Sequence, residues 1–430
     1  MQIELINTGS ELLLGRVLNT HQQWIGRRLA DLGYEVSRQV AVPDTGDAIQ
    51  AAVSEACERA DIVITTGGLG PTSDDRTRDL IAALFERPLK EDPNVVRHIS
   101  GFFERRGRPM PESVKVQALI PEGAEVINNE FGTAPGLAMA FDSQSGSRRA
   151  RCLIMLPGPP RELQPMFDHE VIPWLQKDIL IPNGFACRTL RSTGVGESRV
   201  EEQLVGRLAG LVERGLEIGY CARTGEVDVR MIARGVEATE IVDEAVRLTM
   251  EVFGCNVFGE DDDKLEEVIV HRLSRDGKTL SLAESCTGGY VAHRLTNVSG
   301  ASKVLESGLV TYSNEAKMRL LGVSSQTLDE HGAVSKATAK EMAEGARKAS
   351  GTDYAISITG IAGPTGGTDE KPVGTVFIGL ASSKGTTVIE CFNPVERESF
   401  KYMTSQQAFE MLRRTHEKRD SAEAVVSPQD

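Results

Sequence analysis

Ser285 stands where an alternating apolar run, Thr279-Leu280-Ser281-Leu282-Ala283-Glu284, breaks into Ser285-Cys286-Thr287-Gly288-Gly289 before Val291, Ala292 and Leu295 resume at helical spacing. A strand that stops at a hydroxyl and restarts as a helix puts that hydroxyl at the lip of a sheet. The first free N–H groups of the helix then point at whatever the hydroxyl attacks. This is the layout of a nucleophile beside an oxyanion site, with backbone donors expected at Thr287, Gly288 and Gly289. Cys286 is the rival nucleophile; as the next residue along it should face away from Ser285, and no histidine neighbours it to make a thiolate.

A serine needs a base. The histidines of this region, His271, His293 and His331, lie in no glycine-rich or otherwise site-like setting. Gly308-Leu309-Val310-Thr311-Tyr312 reads as a further strand, and Ser313-Asn314-Glu315-Ala316-Lys317 as a helix start capped by Ser313 or Asn314. In a first helical turn the dipole disfavours an ammonium, so the Lys317 amine is pushed toward its neutral, proton-accepting form, with Tyr312 beside it to relay a proton. The plainer reading makes Ser285 a helix cap, Tyr312 a strand residue and Lys317 a solvated charge. A second glycine-rich stretch, Thr359 to Gly367, follows the apolar run Tyr354 to Ile358. Its backbone N–H groups, with Gly360 and Gly363 among them, suit a phosphate or ribose.

Near the other end, Asp61 to Thr66 is an apolar run typical of a central parallel strand, and it empties into Gly67-Gly68-Leu69-Gly70-Pro71-Thr72-Ser73-Asp74-Asp75. Gly67 and Gly68 would let a phosphate approach the backbone. Asp74 and Asp75 could hold a metal ion or sit at the next helix N-terminus, and spacing leaves both readings open.

The elements that carry these residues read as α/β. Strand Ile3–Gly9, a helix marked by Trp24, Ile25 and Leu29, strand Val36–Val42, a helix marked by Ile49 and Val53, then strand Ile62–Thr66 make a βαβαβ run and predict a doubly wound sheet with its ligand site at the strands' carboxyl ends. From Arg188 to Phe253 the pattern is that of a small α+β module. From Leu265 a second α/β domain runs to a last amphipathic helix carrying Phe400, Met403, Ala408 and Leu412.

The wording of these stretches goes further than their residue types. AESCTGG, GLVTYSNEAK, HGAVS and SITGIAGPTGGTDEKPVGTVFIGLA, in that order, closely resemble the C-terminal domain of the CinA family, a nicotinamide mononucleotide (NMN) deamidase. TTGGLGPTSDDRTRD, GRPMPES, GTAPG and LPGPPREL resemble the family's N-terminal molybdopterin-binding-like domain. The resemblance implies a catalytic set of Ser285, Tyr312 and Lys317 acting without a cofactor, and NMN and ADP-ribose as small-molecule partners. It also implies a phosphate site at the last helix, where relatives carry two arginines and this chain has Arg397 and Lys401. The ammonium keeps the charge but loses the bidentate fork.

For the N-terminal domain the resemblance implies an ADP-ribose pyrophosphatase dependent on a divalent metal ion. Ser10, and His21 within Asn19-Thr20-His21, replace carboxylate-bearing patterns there and weaken that implication. The middle module corresponds to a KH-like domain, yet Gly194-Val195-Gly196-Glu197 is no GXXG loop with basic flanks, and it reads as a spacer and interface. The expected domains are 1–172, 173–258 and 262–414, with a disordered tail over 415–430. The family also suggests a homodimer, and its name, competence/damage-inducible, a non-enzymatic role beside DNA-repair or uptake proteins.

At 430 residues the chain is long for one core. Its seven cysteines are scattered and never in a C-x-x-C pair, which argues for reduced thiols rather than disulfides or zinc. A net charge of −14 opposes binding to nucleic acid. With no apolar run long enough for a bilayer and no basic, apolar leader at Met1-Gln2-Ile3-Glu4, the expected location is cytoplasmic.

Overall fold

The computed structural model describes residues 1–141, 151–178 and 184–424; the polar stretch 142–149, read from sequence as a hairpin tip, lies outside them. The chain divides into two compact units, Met1–Cys187 with Arg234–Val236, and Arg188–Ala233 with Glu237–Asp430. No helix among the described residues is long and apolar enough to cross a membrane.

In the first unit, strands β1 (Ile3–Thr8), β2 (Val36–Val42), β3 (Ile62–Thr66), β4 (Glu125–Ile127), β5 (Gly136–Phe141) and β6 (Arg151–Leu156) lie in the order β2-β1-β3-β6-β5-β4. The first four run parallel, and β5 and β4 are antiparallel. Helix α1 (Thr20–Asp31) covers one face, where Ile25 and Leu29 meet Ile3, Leu5, Ile62 and Ile64. Helices α2 (Gly46–Arg59), α3 (Thr77–Leu84) and α4 (Pro93–Glu104) cover the other, where Ile49, Val53, Ile81 and Ile99 meet Ile6 and Val63. Alternate residues of β1 thus serve two cores, which is why the strand is buried without interruption even at Glu4, Asn7 and Thr8.

The second unit opens with the small module: β7 (Phe185–Thr193), α5 (Glu197–Glu213), β8 (Glu217–Arg223), β9 (Glu226–Arg234), α6 (Ala238–Phe253) and β10 (Val257–Glu260), with strand order β8-β9-β7-β10. There follow α7 (Leu265–Arg275), β11 (Leu280–Glu284), α8 (Tyr290–Thr296), β12 (Leu305–Val310), α9 (Asn314–Leu321), α10 (Ser325–His331), α11 (Lys336–Ser350), β13 (Tyr354–Gly360), β14 (Thr375–Ser382), β15 (Gly385–Phe392) and α12 (Arg397–Ala424). This sheet has the order β12-β11-β13-β14-β15, with β11 parallel to both neighbours and β14 and β15 antiparallel.

Helices α7, α8 and α12 bury Leu265, Ile269, Val291, Leu295, Phe400 and Phe409 against Leu280, Leu282, Ile356 and Ile378, each side chain contributing about 1.5–3 kcal/mol. On the opposite face α9, α10 and α11 pack Leu321, Leu328, Met342, Ala343 and Ala346 on Ala283, Ala355 and Ala381. Contact between α11 and the sheet is close: a Cβ on Gly379 would lie 2.8 Å from the Ala339 carbonyl oxygen. The chain goes from β11 out to β12 and returns to β13 on the other side, so the sheet's switch point falls between the carboxyl ends of β11 and β13.

The end of the chain departs from expectation. Helix α12 continues to Ala424 through residues placed in a disordered tail, and residues 425–430 lie outside the described ones. The reason is a buried His416, whose Nδ1 pairs with the Tyr354 hydroxyl at 3.2 Å and whose Nε2 pairs with Asp276 Oδ2 at 2.8 Å. These bonds give a polar stretch an inward face.

Candidate active site

Ser285 follows the last residue of β11, and its N–H donates to the Ile358 carbonyl of β13 at 2.9 Å, which fixes it at the switch point. Lys317, one turn into α9, reaches back across β12. Its Nζ lies 3.1 Å from Ser285 Oγ, 2.9 Å from the Thr311 carbonyl oxygen and 3.3 Å from that of Tyr312. The lysine is 1% exposed. Burial holds its amine below the ordinary lysine range, so the first cause is desolvation rather than the helix dipole invoked from sequence. A neutral amine here keeps two N–H bonds on the two carbonyls and turns its lone pair to the Ser285 hydroxyl, which can then donate to it. Ser313 caps α9 by accepting from the Ala316 N–H at 3.1 Å.

The elbow after Ser285 is built differently from the reading above. Glu284 is 1% exposed, and its carboxylate accepts from the N–H groups of Gly289 at 3.0 Å, Val291 at 3.2 Å and Ala292 at 2.9 Å. The Gly288 N–H donates to the Ser285 carbonyl at 3.1 Å. Two of the three expected oxyanion donors, Gly288 and Gly289, are therefore committed. Thr287 is left, with Cys286 before it, and both N–H groups lie near the Cys286 sulfur. Glu284 was missed from sequence although a carboxylate ending an apolar strand is a signal, since burying one demands donors. Gly288 and Gly289 have φ of +63° and +95°, so glycine at both serves the turn. Cys286 is buried, and burial pushes its thiol up to about 12.

Tyr312 does not bring its phenol to the Ser285–Lys317 pair. The side chain is 61% exposed, and its hydroxyl accepts from Arg397 Nη2 at 3.1 Å while Arg397 Nη1 donates to the Gly363 carbonyl at 2.7 Å. Arg397 thus ties the Tyr312 loop to the glycine-rich loop at the rim. Lys401 lies one turn further along α12, half-buried and, among the described residues, in no ion pair.

Thr359 is buried and donates its hydroxyl proton to the Ala333 carbonyl at 2.6 Å, which fixes the scaffold and leaves the oxygen able only to accept. Gly360 and Gly363 are glycines for packing, since a Cβ would lie 2.7 Å from the Thr375 carbonyl oxygen at the first and 2.5 Å from Val373 Cγ1 at the second.

In the first unit the residues singled out do not make a metal site. Asp75 Oδ2 accepts from the Thr72 hydroxyl at 2.6 Å and the Thr72 N–H at 3.0 Å, and Asp74 Oδ1 accepts from the same hydroxyl. Both carboxylates fold back on their own loop, neither caps α3, and among the described residues no three His, Cys, Asp or Glu side chains group to hold a metal ion. Both carboxylates are turned to one threonine hydroxyl rather than to a common point outside the loop. Gly67 and Gly68 pack closely: added Cβ atoms would lie 2.7 Å from Thr8 Oγ1 and 2.0 Å from Thr77 Oγ1. A cavity of about 200 Å³ in this unit is lined by Asp92, His98, Asn128 and Asn129 and includes none of these four residues.

Three family models match the chain: "Probable molybdopterin binding domain" over residues 4–177, "Damage-inducible protein CinA KH domain" over 187–259 and "CinA C-terminal domain" over 262–416. A CinA-like protein of Akkermansia muciniphila is 46% identical over 95% of this chain and 96% of its own. A putative competence-damage inducible protein of Caldicellulosiruptor bescii is 42% identical over 96% of this chain and 99% of its own. One from Symbiobacterium thermophilum is 44% identical over 89% and 88%.

Proposed function

Because the chain belongs to the CinA family, we propose that its C-terminal domain hydrolyses the amide of NMN to nicotinate mononucleotide and ammonia. The observation that carries this reading is the contact between a buried lysine amine and the Ser285 hydroxyl, at 3.1 Å. Ser285 Oγ attacks the amide carbon while Lys317 Nζ takes its proton. The new C–O bond turns the carbonyl oxygen into an oxyanion, which falls to the Thr287 N–H at the elbow. Collapse of the adduct breaks the C–N bond, and the Lys317 ammonium returns the proton to the leaving ammonia. Water, deprotonated by the same amine, then releases the acyl group from Ser285.

The substrate's phosphate falls to Lys401, with Arg397 and Tyr312 shaping the rim it crosses. Purified protein given NMN with a chelator present tests the reading. Equimolar ammonia and nicotinate mononucleotide, lost in Ser285→Ala, are the expected result; no product from wild-type protein would overturn it.

A further inference from the structure

Between the small module and the Ser285 elbow runs a line of buried polar side chains whose chemistry allows one arrangement only. Glu226, the first residue of β9, is 4% exposed and accepts through Oε2 from Arg191 Nη2 at 2.5 Å and through Oε1 from the Gln406 amide Nε2 of α12. Gln406 Oε1 accepts from Arg294 Nη2 of α8 at 2.6 Å. A carboxylate can only accept and a guanidinium only donate, so the amide between them has one orientation. Arg294 is 5% exposed. It also donates to Ser405 Oγ of α12 and Glu266 Oε2 of α7, each at 2.5 Å, and lies 4.7 Å and 4.9 Å from the ring centroids of Tyr402 and Phe409.

The two helices joined in this way both end at the candidate site. Helix α8 begins at the elbow, five residues after Ser285, and α12 begins with Arg397, which holds the Tyr312 hydroxyl and the Gly363 carbonyl. We infer that Glu226, Gln406 and Arg294 are positioning residues: the small module, read from sequence as a spacer and interface, sets the register of the nucleophile's helix against the helix carrying the rim. This rests on the function proposed above only for its kinetic readout.

The test is a charge swap in the full chain. Gln406→Glu sets a second carboxylate against Glu226, and repulsion in a buried site should part α12 from the module. Glu226→Gln together with Gln406→Glu restores a donor facing an acceptor, and Arg294 and Arg191 still meet acceptors. Gln406→Glu should lower kcat/KM for NMN about tenfold, the rate equivalent of a buried hydrogen bond lost, and the swap should bring it back. Hydrogen exchange of the peptide covering residues 285–296 should quicken in the single variant and recover in the swap, while the peptide covering α9 stays at the wild-type rate. Unchanged exchange over 285–296 in Gln406→Glu, uniform quickening in both peptides, or a swap that restores nothing overturns the inference. Should wild-type protein release no ammonia from NMN, the functional reading fails, and the exchange comparison still decides this one.

Discussion

Lys317 and Ser285 meet at 3.1 Å across the end of β12, with the amine held from behind by the carbonyl oxygens of Thr311 and Tyr312. Two carbonyls that accept and one hydroxyl that can donate leave a neutral amine a single useful direction for its lone pair.

The nucleophile can be assigned by paired variants. Ser285→Ala should lower ammonia release from NMN by at least about a thousandfold, the usual consequence of removing an attacking atom. Cys286→Ala should keep most of it, because a buried thiol pushed up to about 12 carries almost no thiolate near neutrality. The reverse order would move the attacking atom to the sulfur.

The pH profile should carry the mark of Lys317. Its amine is held below the ordinary lysine value by burial, and only the neutral form can take the Ser285 proton. Log kcat/KM should therefore rise with pH and level off below the ordinary lysine range of about 10.4. Lys317→Arg keeps the charge but cannot give up its proton, so its residual rate should show no such limb. A rate near wild type in that variant would remove lysine from the role of base.

Tyr312→Phe separates a proton relay from a rim contact. The phenol bonds Arg397 and lies on the exposed rim, so its loss should cost no more than about tenfold in kcat/KM, the scale of one hydrogen bond. A collapse comparable to that of Ser285→Ala would show that the hydroxyl swings inward during turnover.

Glu284→Gln addresses the elbow itself. The amide presents an NH2 where the carboxylate took N–H bonds from Gly289, Val291 and Ala292, leaving at least one buried donor unpaired. The expected cost is about 1–3 kcal/mol in denaturant unfolding, together with a slower deamidase. Unchanged stability would show that the elbow holds its shape without the charge.

What could be read from sequence follows from distance along the chain. The runs Leu280–Glu284 and Leu305–Val310 and the cap at Ser313 are local patterns, and they are enough to bring Ser285 and Lys317 to one end of a sheet. The links of the rim and the small module are not local. Arg397 finds the Tyr312 hydroxyl 85 residues away, and Gln406 finds Glu226 180 residues away; periodicity carries no information about either. Acidity at Asp74 and Asp75 suggested a metal because composition shows charge but not the neighbouring Thr72 hydroxyl that absorbs it. The continuation of α12 was hidden because its inward-facing His416, like Arg413 just before it, is polar by type and buried by partnership.

Arg294 is translated after its partner Glu266 but long before two others, since Ser405 and Gln406 come 111 and 112 residues later. On the ribosome those two bonds must wait for nearly the whole of the C-terminal domain, and the Ser285 N–H must likewise wait for Ile358. A chain truncated before α12 would leave the Arg294 guanidinium without Ser405 and Gln406, and the elbow helix without the helix it is tied to.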